Sequence, residues 1–64
     1  LMIAQKAQMR AQLLKDYQAY MLKGSIMQLE LDEWENQYQA YHSLVGPNGI
    51  LDDRRQNLMK LPVK

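Results

Sequence analysis

Met27, Leu31, Trp34, Tyr38, Tyr41 and Val45 are spaced 4, 3, 4, 3 and 4 residues apart. That alternation is the a/d pattern of a helix burying one seam, and it does not suit a strand, whose side chains change face at every residue. A second apolar set, Ile26, Leu29, Ala40 and Leu44, falls on another side of the same segment. A helix with two apolar sides touches more than one neighbour. The spacing therefore predicts a helix over 26–45 that needs at least two partners.

The residues before it also read as a helix. Residues 2–23 are rich in Ala, Gln, Met, Leu and Lys, with no Gly or Pro before Gly24. Leu13, Tyr17 and Tyr20 share one broad face with Met2, Ile3, Ala7, Met9, Leu14 and Met21. Lys6 and Arg10 intrude on that face and are expected to snorkel. Gly24 suits a helix C-terminus, and Ser25 with Gln28 forms a capping-box pattern for the next helix. Gly46-Pro47-Asn48-Gly49 reads as a tight turn. Residues 50–61 form a shorter third helix with Leu51, Leu58, Met59 and Leu61 on its apolar side, ended by Pro62.

The fold expected is all-α: an antiparallel hairpin of helices 2–23 and 26–45, plus a short C-terminal helix over 50–61. One alternative keeps the same phase. The seam 13, 17, 20, 27, 31, 34 runs straight through Gly24, so a single helix over 2–45 in a coiled coil also fits, at a cost of only ~1 kcal/mol for the glycine. Charge favours the hairpin. Residues 1–23 carry +3, 26–45 carry −4 and 50–64 carry +2. A hairpin sets the first two segments side by side, whereas one long helix opposes its own dipole. The motif Tyr-Gln-Ala-Tyr occurs at 17–20 and again at 38–41, and a Gly follows each copy. This too suits two helical units.

A chain of 64 residues forms one small module, and at this size it buries only about 60 % of its unfolded surface. Small scaffolds add disulfides, a metal or a partner. With no Cys and one His, neither a disulfide nor a Cys/His zinc site is available, so no cofactor is expected and a protein partner is. The absence of cysteine favours an intracellular setting. No apolar run reaches the ~20 residues of a membrane span. The opening Leu-Met-Ile-Ala-Gln-Lys carries no signal-peptide pattern and no initiator Met, and the chain reads as a fragment or processed part of a longer one.

Catalytic chemistry finds no footing in this sequence. His42 has Tyr38 and Val45 as its helical neighbours, and no cysteine is present to pair with it. No His follows Glu30, Asp32, Glu33 or Glu35 at the spacing of a carboxylate metal site. Asp52-Asp53-Arg54-Arg55 lacks the alternating ligands of a calcium loop and is a slight phosphate footprint. The aromatic seam could stack bases, but Glu33 and Glu35 flank Trp34 and repel phosphate, which argues against nucleic acid. The candidate core or interface residues are therefore Leu13, Tyr17, Tyr20, Met27, Leu31, Trp34, Tyr38, Tyr41 and Val45. Ile26, Leu29, Ala40 and Leu44 form a second interface stripe. The function expected is a non-enzymatic structural subunit that packs helices into an oligomer or larger complex, with no small-molecule substrate. Two alternatives are a self-associating coiled coil and a regulatory adaptor that offers the aromatic seam to a partner helix.

Overall fold

Helix formers up to Lys23 and a left-handed glycine after them fix the first reversal. In the computed structural model, which describes residues 2–64 and their side chains from residue 4 onward, α1 runs Met2–Lys23, α2 Gln28–Val45 and α3 Gly49–Met59. The expected parts of Met2 and Ile3 in the apolar face lie outside the described side chains. Gly24 donates its N–H to the Tyr20 carbonyl at 2.9 Å and takes φ +74°, which stops the helix. Residues 24–27 are not helical, so the single helix over 2–45 is not formed. The chain is a three-helix bundle measuring 36 × 18 × 17 Å.

Partner residues give the topology. Trp34 meets Leu13, while Tyr20 and Glu30 lie together, so α1 and α2 are antiparallel. Tyr38 meets Asp52 and Glu35 meets Arg55, so α3 runs antiparallel to α2. It reaches α1 through Asn57 and Tyr17.

The start of α2 differs from the sequence reading. Its N-cap is Met27, and the helix begins at Gln28 instead of 26. Glu30 reaches back to accept the Met27 N–H at 3.0 Å, so the cap is closed by Glu30 and not by a Ser25–Gln28 pair. The cause is Ile26. Its N–H donates to the Pro62 carbonyl at 3.1 Å and its carbonyl accepts from Lys64 N–H at 2.9 Å, a one-residue parallel bridge. Both main-chain groups of Ile26 are occupied by the tail, and its side chain is buried, so it cannot join the helix.

The third helix is also shorter than expected, ending at Met59 instead of 61. Lys60 and Leu61 donate to Asn57 and Leu58 in tighter i→i+3 bonds, which direct the tail towards Ile26. At its start, Asn48 Oδ1 accepts from Ile50 and Leu51 N–H at 3.1 and 3.2 Å. The turn motif thus includes a helix cap.

The core consists of Leu13, Ile26, Trp34, Tyr38, Tyr41, Leu51 and Leu58, with Met9, Leu14, Tyr17, Tyr20, Leu31 and Leu61 packed against it. Leu13, Ile26, Leu51 and Leu58 lose nearly all exposure, and burying each contributes roughly 1.5–3 kcal/mol.

Both glycines at reversals have positive φ and open space where a Cβ would sit, so a side chain there meets only backbone resistance. Gly46, at φ 83° and ψ −169°, lies in a region reserved for glycine. Gly46→Ala is expected to cost ~1–3 kcal/mol, and Gly24→Ala ~1–2 kcal/mol. Leu58→Ala should exceed both at ~2–5 kcal/mol. Urea unfolding midpoints should fall from Gly24→Ala through Gly46→Ala to Leu58→Ala, the lowest.

Candidate functional site

Two faces of the α1–α2 hairpin carry the polar and aromatic chemistry of this chain. One face is closed by α3 and the other is an open groove.

On the closed face, Trp34 donates its indole N–H to the Leu13 carbonyl at 3.0 Å. Its ring stacks on Tyr38 with centroids 5.7 Å apart and planes 12° from parallel. The Tyr38 hydroxyl donates to Asp52. Arg55 Nε binds Glu35 Oε1 at 2.5 Å while its guanidinium lies 5.4 Å from the Tyr38 ring centre. The neighbouring Arg54 lies 5.3 Å from the Tyr17 ring centre, and Asn57 Nδ2 donates to the Tyr17 hydroxyl at 3.1 Å. Tyr17 and Tyr38 are equivalent positions of the sequence repeat. The adjacent arginines of α3 therefore each cover one of the two repeat tyrosines, Arg54 on α1 and Arg55 on α2.

The polar residues weighed earlier for chemistry mostly have structural positions. Asp52 accepts from Tyr38, Glu35 pairs with Arg55, Glu30 caps α2, and Asp32 accepts from Gln28 Nε2 at 2.9 Å. His42 is exposed and lies tilted against Tyr38, with centroids 6.1 Å apart. Among the described residues no group of His, Cys, Asp and Glu is placed to hold a metal ion, and no helix is long and apolar enough to cross a membrane.

Seam and stripe residues have separate fates. Leu13, Trp34, Tyr38 and Tyr41 are buried, and Tyr17, Tyr20 and Leu31 are half-buried against them. Met27 and Val45, the two ends of the seam, are exposed, because they cap and close α2 beyond the reach of its neighbours. Of the second stripe, Ile26 is buried by the tail, while Leu29, Ala40 and Leu44 remain exposed. The helix-to-helix ion pairing expected of the α1 and α2 charge blocks is not formed. Among the described residues the one ion pair, Glu35–Arg55, joins α2 to α3.

The open groove is lined by α1 and α2, with no residue of α3. Met9, Gln12, Leu13, Asp16 and Tyr20 of α1 and Glu30, Glu33, Trp34, Asn36 and Gln37 of α2 enclose about 590 Å³. Met9 and Tyr20, both half-buried, supply apolar surface above the buried Leu13 and Trp34. Asp16, Glu30 and Glu33 converge from two helices, and no Lys or Arg lines the groove. Burial, followed by the charges of Glu30, Asp16 and Glu33, raises the Tyr20 phenol above its ordinary pKa. Sequence periodicity did not reveal this site: Asp16 and Glu33 occupy flanks of their own helices and come together only through the hairpin.

No family model, curated protein or solved structure matches the chain.

Two measurements test this geometry. Trp34→Phe keeps much of the ring packing but loses the bond to Leu13, and should cost ~1 kcal/mol. Tyr38 is also raised, first by its hydrogen bond to Asp52, then by burial, with Arg55 opposing. A phenol raised in the folded state stabilises fully below its unfolded pKa and loses that contribution as pH rises through the folded value. Stability should therefore fall above pH ~10, the ordinary phenol value. In an absorbance titration, Tyr20 and Tyr38 should ionise later than a free tyrosine, and Tyr38→Phe should remove one of these late components.

Proposed function

We propose that this chain is a non-catalytic helical interaction module, a structural subunit that packs its preformed bundle against protein partners in a larger assembly. The observation that carries the reading is the uncovered apolar stripe of α2. Leu29 is 67 % and Leu44 44 % exposed, with exposed Ala40 between them. The stripe borders the open groove through Glu33 and Gln37. Apolar side chains left exposed at both ends of one helix give a partner two points of contact along it.

The aromatic seam plays a different part in this reading. Trp34, Tyr38 and Tyr41 are committed to α1 and α3, and offering them to a partner helix would require opening the core. The module docks instead through the outside of a closed bundle. α3 supplies the third wall of the core, so folding and docking are separable, and the partner stabilises the folded state by mass action.

The stripe can be tested without disturbing the core. Leu29→Lys combined with Leu44→Lys should leave helicity intact and change stability by no more than ~0.5 kcal/mol. Photocrosslinking groups placed at 29 and 44 should yield adducts of defined mass in the cells that make the protein, and the Lys double variant should abolish assembly. The control position is exposed Asp53. Equal labelling from 29, 44 and 53, or assembly unaffected by the double variant, would remove the stripe from the proposal.

A further inference from the structure

We propose that the α1–α2 groove is the vacant fourth position of a four-helix bundle and that it takes a basic amphipathic helix from a partner chain. This rests on the interaction-module reading and specifies the chemistry of the partner.

Shape is the first argument. α3 covers the hairpin face that holds Tyr17, Glu35 and Tyr38. The groove is lined by α1 and α2 alone, from Tyr20 and Glu30 at one end to Met9 and Gln37 at the other. From Met9 to Tyr20 this is 11 residues of α1, or ~16 Å at 1.5 Å per residue, the length of three helical turns. A trough between two antiparallel helices is where bundles seat another helix. A fourth helix lying there also reaches the exposed Leu29, Ala40 and Leu44 along the α2 edge.

Charge selects the class of helix. Asp16 accepts from Gln12 Nε2 at 2.9 Å and Glu30 from the Met27 N–H. Neither these two nor Glu33 forms an ion pair among the described residues. A partner with leucine-like side chains on one stripe and Lys or Arg on its borders would meet the half-buried Met9 and Tyr20 in the floor and carboxylates on both walls. Acidic helices would be rejected by the same groups. A second copy of this chain is a poorer occupant. Pairing the groove with its own image across a twofold axis would set one acidic face against another, and like charges across an interface are unfavourable.

Trp34 is the chain's single tryptophan and lines this groove, so it serves as the reporter. The probe is a designed amphipathic helical peptide without Trp, with leucines on one face and lysines beside them. Two matched peptides carry glutamate for lysine, or serine for leucine. The lysine peptide should bind with a change in Trp34 emission and in its indole N–H resonance, and the other two should bind far more weakly. Asp16→Asn with Glu33→Gln should weaken binding by roughly two- to thirtyfold, since each exposed ion pair contributes at most about a fivefold factor. Added salt should act in the same direction. Gln37→Lys places a cation in the groove without removing a native bond and should also weaken binding, whereas Asp53→Asn should leave it unchanged. Equal binding of lysine and glutamate peptides, or binding indifferent to Asp16→Asn and Glu33→Gln, would overturn the proposal. So would a self-dimer across the groove that the peptide cannot displace. Should crosslinks at 29 and 44 persist while the peptides fail to discriminate, the module reading survives and the basic helix is rejected.

Discussion

Trp34 joins the two long helices, and much of the bundle follows from where it sits. Its ring fills the space beneath α1, its N–H is satisfied by the Leu13 carbonyl, and its face lies on Tyr38. Tyr38 in turn binds Asp52 at the start of α3. One connected set of contacts therefore spans all three helices. A buried indole needs both apolar contact and an acceptor. The Leu13 carbonyl supplies that acceptor at one register of α1 against α2. Sliding either helix would take Trp34 off the Leu13 carbonyl and Tyr38 away from Asp52 together, so the contacts across the three helices hold one register.

Around this centre α3 works as a clamp. Consecutive residues on a helix point about 100° apart, so Arg54 and Arg55 diverge, one over Tyr17 on α1 and one over Tyr38 on α2. The repeated Tyr-Gln-Ala-Tyr sequence places like side chains at matching positions for them. Leu51 and Leu58 fill the space below. At the end of the clamp, the tail straps Ile26 through main-chain hydrogen bonds, which places the loop after α1 and determines where α2 can start. A chain of this size with no cysteine thus gains order by closing both ends of its hairpin: the tail holds one, and the turn from Gly46 to Asn48 holds the other.

Closure on one face leaves the other unfinished. The half of the hairpin covered by α3 uses its charges internally, in Glu35–Arg55 and Tyr38–Asp52. The uncovered half keeps three carboxylates over apolar surface, beside exposed leucines. This asymmetry is what supports the proposal of an assembly role: folding buries the middle of the aromatic seam and leaves Leu29, Ala40 and Leu44 of the second stripe exposed.

Local pattern carried a good part of this account. Heptad spacing of the seam required α2, the glycine at 24 ended α1, and Gly46-Pro47 separated α2 from α3, because periodicity and glycine conformations are short-range properties of the chain. The seam's middle was legible as well: Trp34, Tyr38 and Tyr41 are buried where 3.5-residue spacing puts them. Its ends were not, since exposure of Met27 and Val45 depends on where neighbouring helices stop. Ile26 looked like part of a helical stripe, but its main chain bonds to Pro62 and Lys64, nearly forty residues away, and hydrogen bonds at that separation leave no mark on periodicity. The charge blocks suggested that α1 and α2 pair with each other. Only the packed helices decided that Glu35 turns to α3 while Asp16, Glu30 and Glu33 gather in a groove. The sequence by itself determined which segments are helical and which stripe is apolar. The tertiary structure decided which charges meet and which apolar surface stays uncovered, because both depend on the rotation of each helix about its axis, which packing around Trp34 sets.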